Sequence, residues 1–182
     1  LGNAAWALAE LQPVSQLPLT AVDPAGNPVA PQALLAIGQI RRNLMNDKGA
    51  AKSAFQEVVA KYSTVLMHGP GGEPSYSPGV LAEMEMAQIA PDGGARIYAG
   101  LADALAPTGY VTTELIGDIR AQARLHLAEI NVKRRNFKRA RERLVAIARL
   151  TPDVETGPPA GPSRWYGYVA VDWLEERLGS RS

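Results

Sequence analysis

Residues that could carry out catalysis are few in this chain, and they form no known catalytic pattern. The 182 residues include two histidines and no cysteine. His126 has neither a second histidine nor a glutamate four residues away to form a zinc pair on a helix, so we expect it to pack or to face solvent. His68 opens a His-Gly-Pro-Gly-Gly run, but a serine hydrolase also needs a nucleophile in a Gly-x-Ser-x-Gly turn. The sequence contains no such turn, and we interpret the run as part of a surface loop.

Carboxylates are the other candidates for acid–base chemistry. Glu83 and Glu85 are two positions apart on a predicted helix, so their side chains point about 200° apart and cannot act on one substrate atom. We expect both to lie on a solvated face. Asp172, Glu175 and Glu176 lie on a predicted C-terminal helix, where they favour solubility or pairing with arginine. Since the sequence also lacks a phosphate-binding loop and a calcium loop, we predict no enzyme, no catalytic residue, no metal and no cofactor.

The strongest electrostatic feature is a set of seven basic residues, named here the basic cluster. Residues 118–149 contain ten basic and three acidic residues, a net charge of +7, whereas the other residues together carry −6. An anionic partner (an acidic protein, a phospholipid surface or nucleic acid) would explain this asymmetry, and a solvated charged turn is the alternative. Nucleic acid is disfavoured because Phe137 is the only aromatic residue among the basic ones. The basic cluster consists of Lys133, Arg134, Arg135, Lys138, Arg139, Arg141 and Arg143.

Helices must position these residues, because apolar residues recur at every third or fourth position and not at every second. With 46% apolar residues the chain can bury one sizeable core, and no stretch reaches the roughly 18 apolar residues of a membrane helix. Asn46–Gly49 predicts a turn, and no segment predicts a strand. The predicted helices cover residues 1–12, 33–44, 50–62, 80–90, 95–106, 112–135, 137–150 and 165–178, and Thr112 or Thr113 caps the sixth.

Proline and glycine divide the chain into three predicted parts. Five prolines from Pro13 to Pro31 exclude a helix there and favour extended or turn geometry. The predicted parts are a short helix with a Pro-rich arm over 1–32, a helical domain over 33–152, and a linker with a terminal helix over 153–182. Residues 68–79, rich in glycine and proline, predict a surface loop within the second part.

Two helix pairs come into register when the chain is compared with itself: Leu34–Ser63 and Arg124–Pro152. The second pair has small or apolar residues and a closing proline at Leu127, Ala128, Ala140, Leu144, Ile147 and Pro152. The first has Ile37, Gly38, Ala51, Phe55 and Val58 at the matching positions, with one extra residue in its turn and Ser63 in place of the proline. In this pattern the chain resembles the tetratricopeptide repeat family. It departs from the family at Arg41 and Asn131, where an aromatic is usual, and at Arg124.

The resemblance implies an all-α fold of antiparallel helix hairpins stacked as a short tetratricopeptide-like solenoid, with the Pro-rich arm extended along a partner. A helix bearing Trp165, Tyr168 and Trp173 would cap the last pair. The alternative is an ordinary helical bundle, because close helix contact also requires small residues there. The ending FQEVVAKYS of the first pair is similar to repeats of bacterial envelope proteins, which implies a periplasmic or membrane-associated location.

A repeat of this family implies a non-catalytic adaptor that binds a peptide or a partner subunit in a groove formed by the first helices. The positions carried over for partner binding are Gln39, Arg42, Asn43, Glu129, Val132 and Lys133. The alternative is a peripheral protein that docks on lipid or nucleic acid through the basic cluster. A helical enzyme with an unrecognised site is a third hypothesis, which would require His68 or Glu83 for turnover.

Overall fold

The structure is a computed structural model of the chain. It describes residues 2–69, 72, 74–75, 77–102 and 113–148. These residues form seven helices and one hairpin of two-residue strands, which confirms the predicted helical class. None of the described helices is both long and apolar enough to cross a bilayer. The elements are α1 (Gly2–Val14), α2 (Val29–Asn43), α3 (Lys48–Tyr62), β1 (Met67–His68), β2 (Pro74–Ser75), α4 (Pro78–Ile89), α5 (Ala95–Ala102), α6 (Thr113–Lys133) and α7 (Phe137–Ala148).

The chain divides into two compact units. Unit 1 comprises residues 1–94 and 108–111, and unit 2 comprises residues 95–107 and 112–182. Unit 1 therefore contains α1 to α4 with the small hairpin, and unit 2 contains α5 to α7.

The core of unit 1 forms where α2, α3 and α4 pack together, with α1 against α2. Phe55 is fully buried at its centre, and Ile37 and Val58 are buried beside it. Gly38 lies directly under the Phe55 ring: a Cβ atom at Gly38 would come within 2.8 Å of Phe55 Cδ1. The absence of a side chain at Gly38 thus allows α2 and α3 to approach closely enough to bury the ring.

The chain turns between α2 and α3 at Asn46 and Asp47, whereas Lys48 and Gly49 of the predicted turn belong to α3. Asn46 has a φ of 54°, in the left-handed region that asparagine tolerates better than most residues. The Asp47 carboxylate accepts a hydrogen bond from the backbone N–H of Ala50 at 2.9 Å and so caps α3. The helix begins at Lys48, two residues before the predicted start.

The proline-rich segment is helical at both ends, and the prediction that proline excludes a helix from Pro13 to Pro31 is wrong there. Pro31 is the third residue of α2, where a backbone N–H has no partner within the helix and its loss costs little. Pro13 lies in the last turn of α1. Between the two helices, residues 15–28 form turns that are closed by a bridge between Val22 and Pro28.

Hydrogen bonds connect this turn region to the rest of unit 1. The Asp23 carboxylate accepts bonds from Gln32 Nε2 at 3.0 Å and from the N–H of Asn27 at 2.9 Å, and these lower the pKa of Asp23. The buried Asn27 amide donates to the carbonyl of His68 at 2.9 Å and accepts from the His68 N–H at 2.7 Å. The residues before α2 are thereby joined to the end of the segment that follows α3.

The glycine- and proline-rich loop contains the only strands among the described residues, a feature that the sequence did not predict. β1 pairs antiparallel with β2, Met67 opposite Ser75. Ser77 then accepts a bond from the N–H of Val80 at 3.3 Å and caps α4, whose first residue is Pro78. Helix α4 begins two residues earlier than predicted because this serine and proline supply its start.

Unit 2 is organised around α6, which packs against both α5 and α7. Its seam with α7 buries small and branched side chains, and Ala128 and Ala140 are fully buried there. Arg135, with a φ of 60°, turns the chain, and the Asn136 side chain accepts a bond from the N–H of Arg139 at 3.3 Å. The predicted cap at Thr112, the proline at 152 and the predicted helix over 165–178 lie outside the described residues.

Candidate functional site

Two of the three partner-binding residues predicted on α2, Gln39 and Arg42, contact α4 in the same unit. Gln39 Nε2 donates to Glu85 Oε1 at 2.8 Å. Arg42 forms a short ion pair with Glu85 and donates to Gln88 Oε1 at 2.8 Å. Arg42 Nε also donates to Asn43 Oδ1 at 2.8 Å. We name this set the α2–α4 polar network; it holds α4 against α2.

The prediction that Glu83 and Glu85 lie on a solvated face is wrong. Glu85 accepts bonds within the α2–α4 polar network, and its side chain is only 14% exposed. Glu83 is half-buried, and this burial raises the pKa of its carboxyl above the ordinary value of 4.5. The expectation of a solvated face assumed that α4 has one free side, whereas the helix packs against both α2 and α3.

The predicted binding residues on α6 differ in their contacts and exposure. Glu129 Oε2 lies 3.2 Å from His126 Nδ1, and the His126 ring stacks on Tyr98 of α5 with centroids 4.6 Å apart. Val132 is half-buried against the α6–α7 seam. Lys133 is exposed at the end of α6.

A cleft in unit 2, which we name the arginine cleft, is the strongest candidate site in the described part of the chain. Its volume is about 480 Å³, within the range of ligand-binding pockets. Helices α6 and α7 supply nearly all of its walls, and α5 contributes its first residue. The lining residues are Ala95, Arg124, Leu127, Ile130, Asn131, Arg134, Arg139, Glu142, Arg143 and Ala146.

Helical spacing explains how α6 and α7 form this cleft. On α6 the lining positions 124, 127, 131 and 134 recur at three and four residues and so form one stripe along the helix. On α7 the positions 139, 142, 143 and 146 form a matching stripe. The neighbouring stripes, which contain Ala128 and Leu144, bury the seam between the two helices. The seam fixes the distance between the helices, and the cleft stripes lie alongside it.

The structure separates the basic cluster into two groups. Arg134, Arg139 and Arg143 line the cleft, together with Arg124, which lies outside the cluster. The remaining members, Lys133, Arg135, Lys138 and Arg141, do not line it and are exposed. Among the described residues, no carboxylate forms an ion pair with Arg139 or Arg143.

The cleft is suited to binding anions. Four arginines and one glutamate give its lining a net charge of +3. The lining holds no His, Ser, Thr, Tyr, Asp or Lys. In the described part of the chain, no three His, Asp or Glu side chains lie close enough to hold a metal ion.

Sequence reasoning found part of this site and missed part of it. It identified Arg134, Arg139 and Arg143 from their charge density. It missed Arg124, ten residues before Arg134, which it treated only as a departure from the repeat pattern. The stripe over 124, 127, 131 and 134 is visible in the sequence and could have identified it.

Unit 1 also exposes large apolar side chains. Trp6 on α1 is 68% exposed, and Leu44 after α2 is 62% exposed. Single exposed apolar residues are common on soluble proteins, so these positions alone do not define a site.

Comparison of the chain with protein-family models, with curated proteins and with solved structures gives no significant match.

Proposed function

We propose that this chain is a non-catalytic protein-interaction module and that the arginine cleft in unit 2 is its binding site for a partner. The observation that carries this proposal is the composition of the cleft, which is lined by four arginines together with the aliphatic side chains of Leu127, Ile130 and Ala146. The apolar side chains of the lining supply contact area for a partner, and the fixed positive charges favour a partner surface that carries negative charge.

The geometry favours the cleft over the predicted groove on α2. Gln39 and Arg42 already bond to Glu85, so a partner would have to replace contacts that hold α4 in place. No such replacement is needed at Arg139 and Arg143, which make no ion pair with the described residues. The binding surface proposed here is therefore on α6 and α7.

The proposal includes the finer architecture implied by the resemblance to tetratricopeptide repeats. The pairs α2–α3 and α6–α7 would be two repeats of a short solenoid, with the Pro-rich segment as an arm and the C-terminal segment as a cap. Two contacts support the correspondence: Gly38 lies against Phe55 in the first pair, and Ala128 and Ala140 are both buried in the seam of the second.

A second candidate function is peripheral binding to an anionic lipid or nucleic-acid surface. The observation that favours it is the exposure of Lys133, Arg135, Lys138 and Arg141 outside the cleft. Attraction through exposed charges falls steeply with salt, because it depends on counterion release and is screened.

Site-specific photo-cross-linking in native extract distinguishes the two functions. A photoreactive amino acid replaces Ala146 in the cleft, and a matched protein carries it at Gln56, an exposed position of α3. Cross-linking at roughly 50 and 500 mM salt spans a large change in screening. We expect a protein cross-linked from position 146 at both salt concentrations and absent from position 56.

The protein-interaction function would be contradicted if position 146 captured no protein while lipid or nucleic acid co-purified at low salt only. That result would support peripheral anion binding. Equal capture from positions 146 and 56 would also contradict a site in the cleft.

A further inference from the structure

The arginines of the cleft are attached at several turns of α6 and α7. Arg124 and Arg134 are ten residues apart on α6, which corresponds to about 15 Å at 1.5 Å per residue. Arg139 and Arg143 are one helical turn apart on α7. The cationic side chains are thus attached along about 15 Å of α6 rather than at a single turn. This distribution favours an elongated occupant that carries several negative groups.

Every cation in the cleft lining is arginine, whereas Lys133 and Lys138 of the basic cluster lie outside it. A guanidinium group is planar and presents its N–H donors as a fork, which matches the two oxygens of a carboxylate. An ammonium group acts as a point charge and gives no such geometric selection. The lining therefore favours ligands that present paired oxygens.

The aliphatic lining of the cleft narrows the class of occupant further. Leu127, Ile130 and Ala146 are aliphatic, so the ligand buries apolar groups as well as charges. The lining contains no aromatic side chain on which bases could stack, which disfavours a nucleic-acid strand. A lipid surface is disfavoured because the arginines line a concave cleft rather than a flat face.

Resting on the proposed function, we infer that the arginine cleft binds an acidic linear segment of a partner protein in extended conformation. Four to five residues span about 15 Å at roughly 3.3 Å per residue. The carboxylates of the segment contact the cleft arginines, and its apolar side chains pack on Leu127 and Ile130.

The test uses the full chain and dye-labelled pentapeptides in a fluorescence-anisotropy titration at roughly 150 mM salt. The peptides are Glu-Leu-Glu-Leu-Glu, the serine analogue Glu-Ser-Glu-Ser-Glu and the basic analogue Lys-Leu-Lys-Leu-Lys. We expect the first to bind most tightly, the serine analogue to bind about tenfold more weakly, and the basic analogue not to bind.

Two matched double variants test the guanidinium forks. R139K/R143K keeps the charge of the cleft and removes two forks, whereas R135K/R141K makes the same change outside the lining. We expect about a tenfold loss of affinity for Glu-Leu-Glu-Leu-Glu in the first variant and less than about a twofold change in the second. Circular dichroism of each variant confirms that the fold is retained.

The results separate failure of this inference from failure of the proposed function. Tighter binding of a neutral Ser-Leu-Ser-Leu-Ser peptide would overturn recognition of an acidic segment. If a protein were also cross-linked from position 146, the proposed protein-interaction function would still hold. Binding only to phosphatidylserine vesicles or to an oligothymidine strand would overturn both. Equal losses in R139K/R143K and R135K/R141K would overturn recognition by the cleft arginines.

Discussion

The hairpins α2–α3 and α6–α7 have similar seams but use their polar residues differently. In each, a small residue on the first helix lies in the seam, Gly38 in one and Ala128 in the other. In unit 1 a further helix, α4, covers the hairpin, and Arg42 bonds to it through Glu85. In unit 2 the arginines of α6 and α7 line an open cleft.

This difference indicates that the buried seam determines how the two helices of a hairpin pack. The helix packed beside the hairpin then determines whether its polar residues form structural bonds. The same residue type stabilises the fold when a helix with a carboxylate packs beside it. In the described part of unit 2, no carboxylate forms an ion pair with Arg139 or Arg143, so these two arginines can contact a ligand. Residue type and spacing within a hairpin therefore do not distinguish a binding residue from a structural one.

The largest loss of stability that we expect follows removal of the buried Phe55 ring in unit 1. Phe55→Ala should lower the free energy of unfolding by about 3–5 kcal/mol, because it removes a fully buried aromatic side chain and leaves a cavity. Leu144→Ala, the matching change in the α6–α7 seam, should cost about 2–5 kcal/mol. Amide hydrogen exchange, followed separately in peptides from α2–α3 and α6–α7, measures both. An unchanged exchange rate in α2–α3 of Phe55→Ala would contradict the packing described for unit 1.

The second-largest loss of stability is expected at Gly38, the small residue of the α2–α3 seam that matches Ala128 in the α6–α7 seam. Gly38→Ala should destabilise unit 1 by about 1–3 kcal/mol, because the new methyl group overlaps the Phe55 ring. Adding Phe55→Leu should recover part of the loss, since leucine leaves space for the methyl group. Gly100→Ala on α5, where a Cβ meets nothing within 4 Å, is the control. Chemical denaturation measures the series, and a Gly38→Ala variant as stable as the parent would show that the helices do not approach so closely.

Substitutions in the α2–α4 polar network and in the arginine cleft test whether the arginines of each site stabilise the fold or bind a ligand. Glu85→Ala should cost about 1–3 kcal/mol, because it leaves the largely buried Arg42 without its carboxylate. Arg139→Gln and Arg143→Gln should each change stability by less than about 0.5 kcal/mol, as surface substitutions do. Thermal unfolding of the three variants makes the comparison. A larger loss in the arginine variants than in Glu85→Ala would reverse the assignment of structural and binding roles.

The smallest effect depends on pH. Burial raises the pKa of Glu83, so the ionised carboxylate destabilises the folded state, and this cost is relieved as the pH falls and the group becomes protonated. Glu83→Gln should therefore raise the melting temperature at pH 7 and have little effect at about pH 4, below the ordinary value of 4.5. Glu10→Gln, on an exposed part of α1, is the control. An equal gain at both pH values would exclude ionisation of Glu83 as the cause.

The sequence predicted the described helices well because their signals are local. Apolar spacing, local composition and the Gly/Pro breaks located all seven. Asn46 and Asp47 identified the turn before α3, although the predicted turn also included Lys48 and Gly49 of that helix. Errors occurred where a local rule depended on position or on a neighbour. Proline was expected to exclude helices, but Pro31 stands in a first turn, where it is tolerated. Ser77 and Pro78 start α4 inside a segment expected to be a loop.

The site was harder to predict because it depends on contacts between elements. Charge density identified Arg139 and Arg143, but nothing local indicated that Lys133 and Lys138 lie outside the cleft. The resemblance to repeats placed Gln39 and Arg42 in a groove, whereas the structure bonds them to Glu85, 46 and 43 residues later in the chain. Pairing over such a distance leaves no periodic signal in the sequence.

The paired bonds between Asn27 and His68 also constrain the order in which unit 1 assembles. They close a loop of 41 residues, and closing so long a flexible segment costs conformational entropy. Helices α2 and α3 form a local hairpin within that loop, which brings its two ends together before the amide bonds form. Local contacts form faster than distant ones, so we expect the hairpin to form first and the Asn27 contact to form late. The His68 amide proton therefore reports on assembly of the whole unit rather than on formation of any single helix.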